Sequence, residues 1–216
     1  MFGTSFQLPN TLHYTRLPMP KSMLEDLSYI LVSEDELHRR VDEMGAELTR
    51  LYKDAQVNEI DIICITNGSI LFCADLMRRL DVYTRLECVR VSSYRNDMKP
   101  VSEPEILAKI RLDLTGRHVL LLDDILDTAQ TLTRLSQVIL AQKPASLRSA
   151  VLLSKPARRQ VDFDVDLVGF EIPDQFVVGY GLDFAERYRN LPIIGVLKPE
   201  LQTVPETVVA SAAAAE

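Results

Sequence analysis

The stretch VLLLDDILDTAQTL, Val119 to Leu132, decides the architecture. Its apolar run, opened by His118, reads as a strand buried on both faces. The run ends abruptly in Asp123 and Asp124. Asp127 follows, and Thr128, Ala129, Gln130 and Thr131 begin a helix continued by Leu132, Leu135, Val138 and Ile139. Two carboxylates at a strand tip repel each other unless something cationic intervenes. A metal ion, or a ligand carrying one, is their natural partner. The next turn places small and hydroxylic residues at a helix N-terminus, where backbone N–H groups and hydroxyls make an anion site. Acid for metal or hydroxyls thus lies beside amides for phosphate, a combination that suits a phosphorylated sugar.

Two plainer readings compete. Asp127 or Thr128 could simply cap the helix while the acid pair is solvated, but a cap explains one acid and not three. The run D-D-I-L-D also matches the D-D-x-x-D of isoprenoid synthases, which bind diphosphate through magnesium. That motif sits on a helix in an all-helical protein, whereas VLLL before it says strand.

Outward from this segment, strand and helix alternate. SYILVS at 28–33 is a short strand. Ser33 and Glu36 then form an S-x-x-E capping box for a helix with Leu37, Val41, Met44, Leu48 and Leu51 on one face. IDIICIT at 60–66 is a continuous apolar strand, turned by Asn67-Gly68 into a second helix. LECVRVSS is a strand, and YRNDMKPVSEPEILAK at 94–109 reads as a long polar loop of the functional or mobile kind. LRSAVLLS is a further strand, and 157–192 is β-rich and irregular. The alternation over 28–154 predicts a parallel sheet covered by helices. Ligands bind such sheets at the carboxyl ends of the strands. Three tips therefore stand out: Thr66-Asn67-Gly68, Asp123 to Thr131, and Ser154-Lys155.

The 216 residues carry 24 basic against 31 acidic side chains, a net charge of −7, which argues against a nucleic-acid binder. No apolar run approaches the roughly 18 residues of a membrane span, and MFGTSFQLPNTLHYTR lacks the apolar core of a secretory signal. The three cysteines, Cys64, Cys73 and Cys88, form no C-x-x-C pair and read as core packing. His13, His38 and His118 have no ligand spacing. GYGLDF at 179–184 is a G-x-G-x-x-G without its last glycine and opens no helix, so it is discounted as a dinucleotide fingerprint. Residues 1–22 read as an arm, 23–200 as the domain, and 201–216 as a disordered low-complexity tail.

The central segment resembles the phosphoribosyl-pyrophosphate signature of type I phosphoribosyltransferases. ITNGSILFCADLMRRL, VSSY, the strand ending in Lys155, and DLVGFEIPDQFVVGYGLDFAERYRNLPIIGVL are similar to the hypoxanthine-guanine branch. The resemblance covers about residues 25 to 200 and implies an α/β fold, a parallel twisted sheet with helices on both faces and a small β-rich hood. It implies transfer of 5-phosphoribose from phosphoribosyl pyrophosphate to N9 of hypoxanthine or guanine, with magnesium as cofactor. It further implies a cytoplasmic homodimer or homotetramer that takes small-molecule substrates, with no nucleic-acid or membrane partner. By the same resemblance, Asp123 and Asp124 bind the ribose hydroxyls beside a metal, and Thr128, Ala129, Gln130 and Thr131 hold the 5′-phosphate. Asp127 is the general base near N7. Asn67, Gly68 and Arg189 bind pyrophosphate, and Asp183 binds a second magnesium. Lys155 donates to the oxygen on purine C6, Phe176 stacks on the base, and the Val177 backbone reads its edge. Ser93 and Tyr94 begin a closing loop.

Plainer roles stand beside several of these. Lys155 could be a solvated lysine, Phe176 a core residue, and Arg189 a surface partner of Glu186. Arg158 and Arg159 read as a solvated basic patch. The chain also departs from the family pattern. Ala129 replaces a common glycine, which strains the loop by about 1 kcal/mol if φ > 0 is needed there. Asp123 is one methylene shorter than the usual glutamate, Arg95 follows Ser-Tyr, and Asn67 stands where some members have lysine. These departures keep open a degenerate, non-catalytic nucleotide-binding regulator, or a transferase for xanthine or another base.

Overall fold

Ser33 starts the longest helix as its spacing predicts. Its side chain accepts from the Glu36 amide while its own amide donates to Glu36 Oε2 at 2.8 Å. The computed structural model describes residues 21–92, 105–106 and 110–203. The elements run α1 (Lys21–Leu24), β1 (Leu27–Val32), α2 (Glu34–Asp54), β2 (Glu59–Thr66), α3 (Ile70–Met77), β3 (Tyr83–Ser92) and β4 (Glu105–Ile106). They continue with β5 (His118–Leu126), α4 (Gln130–Leu140), β6 (Ser146–Ser154), β7 (Leu167–Glu171), β8 (Val177–Val178) and β9 (Ile194–Leu197). Of the expected arm, only its last two residues are described, and they open α1; the expected tail is described only to residue 203.

The main sheet has the order β4-β3-β2-β5-β6-β7. Its strands β3, β2, β5, β6 and β7 are parallel. Of the 94–109 stretch only residues 105–106 are described: they form β4, which lies antiparallel to β3 with Val91 opposite Ile106. Side chains alternate across the sheet. Ile60, Ile62, Cys64, Leu120 and Leu122 pack with α2 and α3, while Ile63, Ile65, Val119 and Leu121 pack with α4. Helices thus cover both faces, which is why the middle stretches of β2, Ile62–Ile65, and of β5, Val119–Leu122, are apolar.

One expectation is corrected. SYILVS does not enter the parallel sheet. β1 pairs antiparallel with β9, and β8 completes a separate three-stranded sheet of order β1-β9-β8. This is the hood. β1 shows why: Ser28, Tyr29 and Ile30 are exposed, with burial only at its ends, so it could not sit between two helical layers.

At the amino end of β2, away from the tips, buried Asp61 is held by Arg85 and Arg117. Burial pushes its carboxyl up, but the two guanidinium groups outweigh that and hold it below the ordinary range. This support is present above the ordinary carboxylate value and is lost as pH falls through the lowered one.

Candidate active site

Parallel strands point their carboxyl ends the same way, so Thr66, Leu126 and Ser154 finish along one edge. The three tips singled out by the sequence meet there. The turn after β2 is packed on two sides. A Cβ on Gly68 would fall 1.6 Å from Asp124 Oδ2, and one on Gly181, at φ +100°, would fall 2.0 Å from Gly68 O. Only glycines allow the Asn67-Gly68 turn, the acid tip and the GYGLD turn to close on each other. The Thr66–Asn67 peptide there is cis. GYGLD is therefore neither a dinucleotide fingerprint nor a mere connector: it is one wall of the site.

Asp123 is buried, and its Oδ1 accepts from the Asp124 amide at 3.0 Å. Asp124 Oδ1 accepts from the Ile125 amide at 2.8 Å. Burial pushes both carboxyls above their ordinary value, and for Asp123 the neighbouring Asp124 charge adds to it. Arg189 lies close enough to favour the Asp124 anion. A buried acid with a raised value is comfortable when protonated and costs stability once ionised. The substrate-free protein should therefore lose stability as pH rises above the ordinary carboxylate range. Replacing Asp123 by Asn removes that cost. Asp123→Asn should raise stability at pH 8 by about 0.5–2 kcal/mol while weakening sugar-diphosphate binding, as read by paired urea melts and titration calorimetry. An unchanged or lowered melt would show that the acid is not a stability burden.

The turn expected to hold the 5′-phosphate follows. α4 makes its first internal bond from Thr133 N to Ala129 O, so the amides of Gln130, Thr131 and Leu132 have no acceptor within the helix. Ala129 sits at φ 71°, ψ −2°. The loop does use the left-handed region, at a cost to alanine of about 1–2 kcal/mol, and the chain tolerates it. The methyl is buried beside α4, which returns about 0.8 kcal/mol. Ala129→Gly relieves strain but loses that burial and adds about 0.4–1 kcal/mol of unfolded-state entropy. Stability should move by less than about 1 kcal/mol. Ala129→Val cannot adopt this conformation without larger strain and overpacking, and should cost about 2 kcal/mol or more in the same urea melt. Equal melts for all three would mean the loop relaxes freely.

Lys155 is 6% exposed, not a solvated lysine. Its Nζ donates to Gln175 O at 2.7 Å. Phe176 is half-buried and meets Phe184 edge-on, with ring centres 5.4 Å apart. One ring face can therefore remain for a ligand. Val177 lies on β8, which is an edge of the hood sheet, so half of that short strand's backbone groups point away from β9.

Asp127 carries an unusual oxygen. Arg158 Nε lies 2.8 Å from Asp127 Oδ1, yet the approach is off-axis and this buried oxygen accepts no hydrogen bond. Arg189 Nη2 pairs with Asp183 Oδ1 at 2.9 Å and with Glu186 Oε2 at 2.8 Å, and Nη1 donates to Gly181 O. The plain pairing with Glu186 thus exists alongside the one that aims Arg189 at the turn. Ala185, Glu186 and Tyr188 all take positive φ, a run of strained residues of the kind that accumulates at functional sites. Ser93 and Tyr94 lie outside the described residues.

The sequence reading misplaced Arg158 and Arg159. Arg159 donates to Leu126 O, Asp127 O and Ser154 Oγ, and so ties the end of β5 to the end of β6 just behind the turn that opens α4. The available signal was position: both follow a strand tip by four or five residues, on the edge where ligands bind.

The adjacent carboxylates of buried Asp123 and part-buried Asp124 offer hard oxygen donors that fit a magnesium ion. Among the described residues no group of three His, Cys, Asp or Glu side chains gathers around one point, so such an ion would share its oxygens with the substrate.

The phosphoribosyl transferase domain model matches residues 33–185. The hypoxanthine-guanine phosphoribosyltransferase of Bacillus subtilis (strain 168) is 43% identical over 177 residues, covering 82% of this chain and 97% of that protein. The hypoxanthine phosphoribosyltransferase of Haemophilus influenzae is 40% identical over 166 residues, covering 77% of this chain and 93% of the relative. Among solved structures, the hypoxanthine phosphoribosyltransferase from Trypanosoma cruzi, in complex with the product IMP, superposes with a TM-score of 0.76 at 38% identity, covering 82% and 97% of the two chains. By these likenesses the chain belongs to the phosphoribosyltransferase family, in its hypoxanthine-guanine branch.

Proposed function

We propose that the protein moves 5-phosphoribose from phosphoribosyl pyrophosphate to N9 of hypoxanthine or guanine. The C1–oxygen bond to pyrophosphate breaks, the C1–N9 bond forms, and the proton on base N7 passes to Asp127. The observation that carries this is the buried, unbonded Oδ1 of Asp127 at the same sheet edge as buried Lys155. An acceptor whose one close partner, Arg158, makes no hydrogen bond to it, at the same edge as a buried ammonium, suits a purine with a ring N–H and an oxygen acceptor at C6.

The other roles are those the resemblance implies. Asp123 and Asp124 hold the ribose 2′ and 3′ hydroxyls. Thr128, Ala129, Gln130 and Thr131 hold the 5′-phosphate at the α4 N-terminus. Asn67, Gly68 and Arg189 hold pyrophosphate, and Phe176 and Val177 frame the base. Magnesium would be held by Asp123 and Asp124, and a second ion by Asp183, together with substrate oxygens. Bound there, it would neutralise charge on the departing pyrophosphate.

The resemblance extends to a cytoplasmic homodimer or homotetramer. Among the described residues no helix is long and apolar enough to cross a membrane, and exposed Ile70, Leu71 and Leu86 supply apolar surface for a second copy. The test is release of pyrophosphate, followed with hypoxanthine, guanine, xanthine and adenine in turn. Turnover with the first two supports the reading. Turnover only with xanthine moves the acceptor, and nucleotide binding without turnover leaves a regulator.

A further inference from the structure

Arg158 ends the 3₁₀ turn Pro156–Arg158 that follows the β6 tip, and its amide donates to Lys155 O at 3.1 Å. Its guanidinium serves two carboxylates at once. Nε lies 2.8 Å from Asp127 Oδ1, and Nη1 lies 3.5 Å from Asp174 Oδ1. Asp174 Oδ1 in turn stands 4.0 Å from Lys155 Nζ. The next residue, Gln175, presents the carbonyl that Lys155 holds, and Tyr29 on β1 donates to its side chain. Phe176 and Val177 follow immediately. One side chain therefore joins the tip of the proton-removing loop to the start of the segment that frames the base.

We propose that Arg158 is a positioning residue that straps the hood segment 174–177 to Asp127, so that base reading and proton removal act on one correctly placed purine. This rests on the transferase reading above. Arg159 fixes the backbone of Asp127 through its carbonyl, and Arg158 fixes its carboxylate. Because the Arg158 contact is off-axis, it holds the carboxylate in place as an ion pair and leaves an Oδ1 lone pair open to an incoming N–H. A planar guanidinium is suited to this, since separate nitrogens on a rigid fork meet separate acids. A lysine in its place brings one point charge and can serve one acid well.

The pair partners are solvated, with side-chain exposures of 43% for Arg158 and 51% for Asp174. Exposed ion pairs contribute little to folding, so variants should fold, and the effects should be modest and specific. The experiment measures kcat and both KM values for the full chain carrying Arg158→Gln, Arg158→Lys, Asp174→Asn, or Arg158→Gln with Asp174→Asn. Asp174→Asn should raise the KM for hypoxanthine about two- to fivefold, with kcat and the KM for phosphoribosyl pyrophosphate near wild type. Arg158→Gln should raise the same KM by the same factor and also lower kcat. The double variant should be no worse in KM than Arg158→Gln alone, because both changes cut one link. Arg158→Lys should recover one of the two effects and not both. Salt at about 0.5 M should narrow the difference between wild type and variants.

An unchanged hypoxanthine KM in Asp174→Asn, additive losses in the double variant, or an equal rise in the KM for phosphoribosyl pyrophosphate would each overturn the strap. A wild type that transfers to no purine overturns the transferase reading and the strap with it. An active wild type with unaffected variants overturns the strap alone.

Discussion

Asp127→Asn should slow turnover by about 100- to 1000-fold, the usual worth of a positioned general base, and leave phosphoribosyl pyrophosphate binding within about twofold. The substitution keeps the shape of the side chain and leaves Asp123 and Asp124 untouched. What it removes is the anion that can take a proton as N9 attacks C1. A buried acceptor with no hydrogen bond costs about 1–3 kcal/mol, and Asp127 Oδ1 is such an atom. The cost is understandable if the missing donor is the N–H of the base. Asparagine removes the acceptor charge and can turn its own N–H toward that donor. Single-turnover measurement separates the two steps, since sugar-diphosphate binding and chemistry are read independently. A mutant that completes its first turnover at the wild-type rate would take Asp127 out of the chemistry.

The parallel sheet was legible because its central strands, β2 and β5, are buried on both faces. Runs such as IDIICIT and HVLLLDD have no polar face to hide them among helices, and a buried sheet with helices between its strands has few possible topologies. The tips followed from that, since in a parallel sheet the ends of separate strands share one edge. Asp124, Gly68 and Lys155 are far apart in the chain, yet the sheet alone brings them to that edge. β1 was not legible. It sits in the same alternating series as the others, and only its pairing with β9, more than 160 residues on, places it in the hood.

The basic pair after Lys155 shows a different limit. In sequence, two arginines beside a proline look like a solvated patch, because charged side chains usually are. Their roles come from carbonyls and carboxylates supplied by β5 and by the loop before β8, which no local pattern announces. Ala129 is the converse case. The sequence showed that a glycine was missing, and local chemistry could state the cost of a left-handed alanine, but whether the loop incurs that cost is a backbone angle. At φ 71° it does. The turn before α4, proposed to hold the 5′-phosphate, therefore keeps the left-handed conformation that a glycine would have given it. The substitution that most suggested a degenerate member has not changed the shape of the site.

Lys155→Met should lower kcat/KM for hypoxanthine by about tenfold to 150-fold, the worth of a charge-assisted hydrogen bond of about 1.5–3 kcal/mol. Methionine keeps most of the aliphatic stem, so the buried volume around a 6%-exposed side chain is largely preserved. The ammonium is what goes. It has three donors and no acceptor, and the structure shows one of them directed to Gln175 O at 2.7 Å. A 6-oxopurine presents an acceptor at C6 to such a group, whereas adenine presents an amino donor there. The wrong base thus sets donor against donor inside a buried pocket, where unpaired polar groups discriminate strongly. Guanine should lose about as much as hypoxanthine. Adenine, poorly used at the outset, should lose much less, so selectivity narrows because the good substrates become worse. Thermal melts of the mutant check that the freed Gln175 carbonyl has not loosened the hood. With folding intact, kcat/KM for the three bases in wild type and mutant decides the matter. Equal losses for hypoxanthine, guanine and adenine would mean that Lys155 acts through the phosphate loop or the fold, and its role in choosing the base would be lost.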